Sequence, residues 1–191
     1  MTGALQALTV STGVVALGEI GDKTQLLALL LAARYRKPWP IMAGILVATL
    51  ANHAAAGAVG TLVHDLIDPQ WLRWLLAASF FAVAAWMLVP DKADEDEVAR
   101  ETGRWGVFGV TTVAFFLAEM GDKTQIATVM LAARFDDLLA VTAGTTLGMM
   151  LANVPAVLLG EKAVRFVPLQ WVHRASAVVF ALIGLVILVQ G

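Results

Sequence analysis

The sequence predicts an all-α integral membrane protein, with six transmembrane helices built as two inverted three-helix repeats. Three observations predict it: an apolar composition, six apolar stretches of spanning length, and a charged motif that occurs twice at a fixed offset. Of the 191 residues 59% are hydrophobic and 15% charged, and mean hydropathy is +0.78. A soluble domain averages about 45–50% apolar and about 25% charged residues.

Composition also removes function classes. There is no cysteine, so disulfides and thiolate metal sites are excluded and any metal must be held by oxygen or imidazole. A net charge of -2 excludes a broadly basic nucleic-acid binder, and no nucleic-acid partner is expected. His53, His64 and His173 stand singly, without zinc-ligand spacing.

Crossing about 30 Å of hydrocarbon takes roughly 20 apolar residues. The stretches that satisfy this are about 4–33, 41–63, 71–89, 107–133, 138–160 and 171–190. Turn and interface residues separate them: Arg34 to Pro40, Asp65 to Pro69, Asp136-Asp137, and Glu161 to Pro168. The trptophans Trp39, Trp71, Trp74, Trp105 and Trp171 read as interface anchors. One connection is long and polar, running from Pro90 to Arg104 through Asp91, Asp94, Glu95, Asp96, Glu97 and Glu101. The expected organisation is therefore a first repeat over 1–89, an acidic linker over 90–106 and a second repeat over 107–191. The first stretch has no basic n-region and is too long for a signal peptide, so it is expected to stay as a membrane span.

Glu19-Ile20-Gly21-Asp22-Lys23-Thr24-Gln25 matches Glu119-Met120-Gly121-Asp122-Lys123-Thr124-Gln125, an offset of 100 (119 − 19). Ala43-Gly44, Gly60 and Gln70-Trp71 match Ala143-Gly144, Gly160 and Gln170-Trp171 in the same register. The register slips once, where Ala51-Asn52 corresponds to Ala152-Asn153, so His53 faces Val154 in the alignment and has no partner. His53 accordingly reads as helix packing. Gly44-x-x-x-Ala48 and Gly144-x-x-x-Gly148 read as close helix contacts, and Met149-Met150 as core filling.

Three spans per repeat make the second copy enter the membrane from the opposite side, which is transporter architecture. With both termini outside, the cytoplasmic connections hold Arg34, Arg36, Lys37, Lys92, Arg100, Arg104, Lys162, Arg165 and Arg174, and the outside only Arg73 and Arg134. The bias of basic residues toward the cytoplasm then predicts a multi-pass protein with both termini outside and the linker inside.

The chemistry lies in the motif. An Asp, Lys or Arg at mid-membrane costs roughly 2.5–3.5 kcal/mol unless compensated, so six such groups must pair, bind something or line water. On a continuous helix Glu19, Asp22 and Lys23 share an arc of about 100°, with Glu19 and Lys23 an i,i+4 pair. The same holds for Glu119, Asp122 and Lys123. Gly21 and Gly121 offer a local break or a close helix approach. If the two charged faces meet at the midplane, four carboxylates oppose two lysines, which suits one divalent cation of the Ca²⁺, Mg²⁺ or Mn²⁺ kind. Thr24, Thr124, Gln25, Gln125, Asn52 and Asn153 are candidate neutral supports, either as ligands or as interhelical glue, and Lys23 and Lys123 are expected to balance charge or gate. Competition between metal and protons for crowded carboxylates is the coupling step of an antiporter.

The doubled Glu-x-Gly-Asp-Lys-Thr motif, one copy in the first helix of each unit, resembles that of a family of cation/proton antiporters that includes the Golgi manganese and calcium transporters of eukaryotes. The likeness covers essentially the whole chain. It implies exchange of Mn²⁺ or Ca²⁺ for protons, with no cofactor beyond the transported ion. The implied cation ligands are Glu19, Asp22, Glu119 and Asp122, with Thr24 and Thr124 alongside. Glu19 and Glu119 are then the expected proton-coupled ligands, and Asp22 and Asp122 the permanent ones. The compact chain resembles a bacterial member, which implies Mn²⁺ efflux across the plasma (inner) membrane of a prokaryote. A Ca²⁺/H⁺ antiporter of the same family is the first alternative and a divalent cation channel a lesser one. An enzyme is not expected, because the chain has no Cys, no His pair and no Gly-x-Ser-x-Gly elbow.

Overall fold

A computed structural model of the chain describes residues 3–89, 106–160 and 169–190. Within them lie α1 (Gly3–Glu19), α2 (Lys23–Tyr35), α3 (Pro38–Leu66), α4 (Pro69–Trp86), α5 (Gly106–Glu119), α6 (Lys123–Phe135), α7 (Leu138–Leu159) and α8 (Leu169–Gln190), and the described residues contain no strand. The polar linker lies, except for Gly106, outside the described residues, as do Trp105, Lys162 and Arg165.

The helix ends follow from local chemistry. α2 and α6 each stop at a residue in the left-handed conformation, Arg36 at φ 51° and Asp136 at φ 49°, whose N–H closes on the Ala32 and Ala132 carbonyls. Pro38 and Pro40 then suit the unbonded first turn of α3. In the second half Asp137 instead caps α7 by accepting from the Ala140 N–H at 2.9 Å, and Asp68 caps α4 through the Gln70 N–H at 2.9 Å. Two-residue turns thus join α2 to α3 and α6 to α7.

The two halves interlock. α7 packs on α1 and α2, and α3 packs reciprocally on α5 and α6, while α3 meets α7 and α4 meets α8. Small residues permit the closest crossings. A Cβ on Gly44 would stand 2.8 Å from the Thr111 Cβ, one on Gly144 2.5 Å from the Leu8 carbonyl, and one on Gly148 2.6 Å from the Thr12 carbonyl, so both small-residue motifs are interhelical contacts. Phe80 and Phe180, which are repeat mates, meet with ring centroids 6.0 Å apart.

The exterior is apolar. Leu46, Val47 and Leu50 on α3, Leu147, Leu151 and Leu158 on α7, and Val178, Leu182 and Leu185 on α8 all face outward, an exposure of large apolar side chains that suits lipid rather than water. Trp39, Trp71, Trp74 and Trp171 are more than half exposed, as membrane-interface anchors would be. By length and composition three helical segments among the described residues can cross a membrane, Pro38–Leu66, Leu138–Leu159 and Gln170–Val189, and α1 with α2 makes a fourth when the bent pair counts as one span. The expected continuous spans over 4–33 and 107–133 are each interrupted, because the chain leaves the helix at Gly21 and at Gly121. α1 and α2 meet at an angle of 68°.

Candidate cation site

The breaks build the site. Gly21 and Gly121 adopt φ of 84° and 77°, a region that costs a glycine little and an L side chain considerably more. After each break the aspartate is extended, Asp22 at φ -78°, ψ 167° and Asp122 at φ -79°, ψ 166°, and stands immediately before the next helix. Gln25 Oε1 accepts from the Gly21 N–H at 2.9 Å and Gln125 Oε1 from the Gly121 N–H at 2.7 Å. This is the reach-back of a capping box, displaced by one residue. Gln25 and Gln125 therefore fasten the breaks: their side-chain oxygens are engaged by backbone. Their amide groups add cross-links, from Gln25 Nε2 to the Ala152 carbonyl at 3.0 Å and from Gln125 Nε2 to Asn52 Oδ1 at 3.3 Å. Asn52 in turn donates to the Phe116 carbonyl at 2.9 Å, so it acts as interhelical glue.

The expected arc on one continuous helix does not form. α1 ends at Glu19 and Lys23 opens α2, so the i,i+4 relation between them is lost. The ion pairs instead cross between repeats: Lys23 Nζ lies 3.6 Å from Asp122 Oδ1, and Lys123 Nζ 3.6 Å from Asp22 Oδ1. Equal distances in swapped partners are what a two-fold relation generates. The lysines balance charge, as the sequence suggests, but each balances the other repeat's aspartate.

Glu19, Asp22 and Asp122 each bring one carboxylate oxygen into a group within 4.8 Å of one another, and none of the three is more than 3% exposed. Thr124 Oγ1 lies 3.1 Å from Asp122 Oδ2 and 3.5 Å from Glu119 Oε2, linking the fourth carboxylate to the group. Asn153 Nδ2 contacts Glu19 Oε1 at 3.4 Å and the Met149 carbonyl at 3.1 Å. Glu19 Oε2, Glu119 Oε1, Thr24 Oγ1 and Asn153 Oδ1 are buried without a hydrogen-bond partner among the described residues. The structure thus gathers Glu19, Asp22 and Asp122 directly and attaches Glu119 through Thr124.

His53, which reads in the sequence as a packing residue, lies beside Glu119 in this neighbourhood. It is 0% exposed, and its Nε2 is 3.8 Å from Glu119 Oε2. The signal available in the sequence was an ionisable ring in the middle of an apolar span, next to Asn52.

Two broken helices with buried carboxylates at their ends, inside a molecule with an apolar exterior, define a membrane transporter for a small cation. The chain matches the family described as "Divalent cation/proton antiporter GDT1" over residues 7–95 and 107–191. It belongs to that family, and it is an antiporter of divalent cations and protons rather than an enzyme. A Vibrio cholerae protein named "Putative manganese exporter" is 50% identical over 95% of this chain and 90% of its own length. A GDT1-like protein of Synechocystis is 27% identical over 82% of this chain and 84% of its own. GDT1-like protein 5 of Oryza sativa is 26% identical over 98% and 96%. No solved structure matches the chain.

Proposed function

We propose that this protein exports Mn²⁺ from a prokaryotic cytoplasm across the inner membrane in exchange for protons. The observation that carries the reading is the buried oxygen group of Glu19, Asp22 and Asp122, assembled from both repeats at the ends of broken helices. The export of manganese in particular is supported by the name of the Vibrio relative.

In this reading α1–α2, α3, α4, α5–α6, α7 and α8 are six spans, and residues 1–89 and 107–191 are two inverted repeats joined by the cytoplasmic linker. The crossed ion pairs and the Phe80–Phe180 contact support a two-fold relation between them, and three spans per repeat place its axis in the membrane plane. The bias of basic residues supports both termini outside.

Asp22 and Asp122 hold the cation throughout, each paired with a lysine of the other repeat. Glu19 and Glu119 exchange it for protons, because a carboxyl that gains a proton loses both a charge and a ligating lone pair. Thr24, Thr124 and Asn153 supply neutral oxygens. The ends of α1 and α5 add carbonyl dipoles that favour a cation. Lys23 and Lys123 keep the site from holding its ion too tightly, since one divalent charge cancels the excess of four carboxylates over two ammonium groups.

An oxygen shell suits Ca²⁺ as well as Mn²⁺, so the test compares ions. Proteoliposomes carrying the protein and an internal pH dye are exposed to Mn²⁺, Ca²⁺ or Mg²⁺. Proton movement driven by Mn²⁺ in preference to the others is expected. Proton movement driven by Ca²⁺ alone would reassign the cargo.

A further inference from the structure

We propose that His53 is a ligand for the transported ion, through Nε2, and that this single nitrogen is what sets the site's preference for Mn²⁺ over Ca²⁺ and Mg²⁺. The inference rests on the reading of the acidic group as the cation's path. The imidazole is fully buried and neither ring nitrogen has a hydrogen-bond partner among the described residues. A side chain kept only to fill space would not carry two unsatisfied polar atoms into the interior. The repeat-related position in α7 is Val154 in the alignment, so the imidazole belongs to one repeat only.

Position and chemistry point to a ligand. Nε2 is 3.8 Å from Glu119 Oε2, which is 3.5 Å from Thr124 Oγ1, which is 3.1 Å from Asp122 Oδ2. These are the separations of atoms that share or neighbour one coordination shell, in which each ligand stands about 2 Å from the metal. The site therefore has two unlike lobes. One is Glu19, Asp22 and Asp122, with oxygen alone. The other is Glu119, Thr124 and His53, with one nitrogen. An oxygen shell does not separate Mn²⁺ from Ca²⁺ or Mg²⁺, whereas Mn²⁺, as a first-row transition ion, gains more from an imidazole nitrogen than the alkaline-earth ions do, and less than Fe²⁺, Zn²⁺ or Cu²⁺. The asymmetry of the sequence repeat becomes an asymmetry of ion choice: the ion is held by oxygen at one lobe and sorted by nitrogen at the other.

The test uses Mn²⁺ itself as probe. Pulsed EPR of Mn²⁺ bound to the intact protein in detergent is expected to show nitrogen-14 modulation, which disappears in His53→Val, a change to the residue already found at the repeat-related position. In proteoliposomes the same variant is expected to lose about tenfold or more in apparent Mn²⁺ affinity and a smaller factor for Ca²⁺, so that the preference between the two ions falls. His53→Gln, which returns an amide oxygen, should likewise lose the nitrogen signal and the preference for Mn²⁺. Mn²⁺ bound by the parent protein without nitrogen modulation overturns the assignment of His53 whatever the variants do. An unchanged Mn²⁺ to Ca²⁺ preference in both variants overturns its role in selectivity. A parent protein that binds no Mn²⁺ at all overturns the reading of the acidic group instead.

Discussion

Replacing Gly121 with alanine separates conformational strain from crowding. An added Cβ at Gly121 meets nothing within 4 Å, but the residue sits at φ +77°, where an L side chain costs about 1–2 kcal/mol. Gly13, in the body of α1, likewise meets nothing within 4 Å but has an ordinary helical backbone, so Gly13→Ala should gain up to about 1 kcal/mol from helix propensity. The two changes are chemically identical and opposite in sign. For a chain of this size about 1 kcal/mol corresponds to roughly 2–4 °C in Tm, readable by thermal unfolding in detergent. Gly121→Ala should melt lower and Gly13→Ala equal or higher. Gly121→Ala should also slow transport, since a chain that relieves the strain by continuing α5 carries Asp122 and Lys123 away from their partners. If Gly121→Ala is as stable as Gly13→Ala and transports normally, the break is not what positions the aspartates.

The crossed ion pairs differ in burial, Lys123 being 3% exposed and Lys23 28%. Lys123→Met removes the ammonium beside a buried carboxylate and should cost about 3–5 kcal/mol, with Lys23→Met costing less; denaturation in one detergent ranks them, and the reverse order would count against the pairing. At Gly148 a side chain would press on the Thr12 carbonyl at 2.6 Å, so Gly148→Val should destabilise by roughly 1–3 kcal/mol through overpacking. An unchanged Tm there would mean that α1 and α7 are farther apart than described.

The sequence made the membrane class, the repeat and the four carboxylates legible, because composition and a doubled motif survive without knowledge of packing. It made the helix breaks legible only as an option: Gly21 and Gly121 permit a positive φ, but nothing local requires it until Gln25 and Gln125 bond back to those glycines. The crossed lysine pairs were hidden for a different reason. Along one helix Glu19 and Lys23 look like natural partners, and only the approach of the second repeat supplies Asp122 as a better one. For Gln25, Gln125 and Asn52 residue type alone leaves ligand and interhelical glue open, and the structure shows each side-chain oxygen accepting a hydrogen bond within the protein. His53 was hidden by the repeat argument itself, which treats a residue without a mate as incidental.

The most direct test of the central account is Mn²⁺-driven proton movement in proteoliposomes, measured for the parent protein beside a Glu19→Gln, Glu119→Gln double variant. The account predicts that Mn²⁺ entry drives protons out of the parent liposomes, and that the variant, folded and inserted, moves none. Proton coupling that persists in the variant, or Mn²⁺ crossing in the parent with no proton movement, would contradict it.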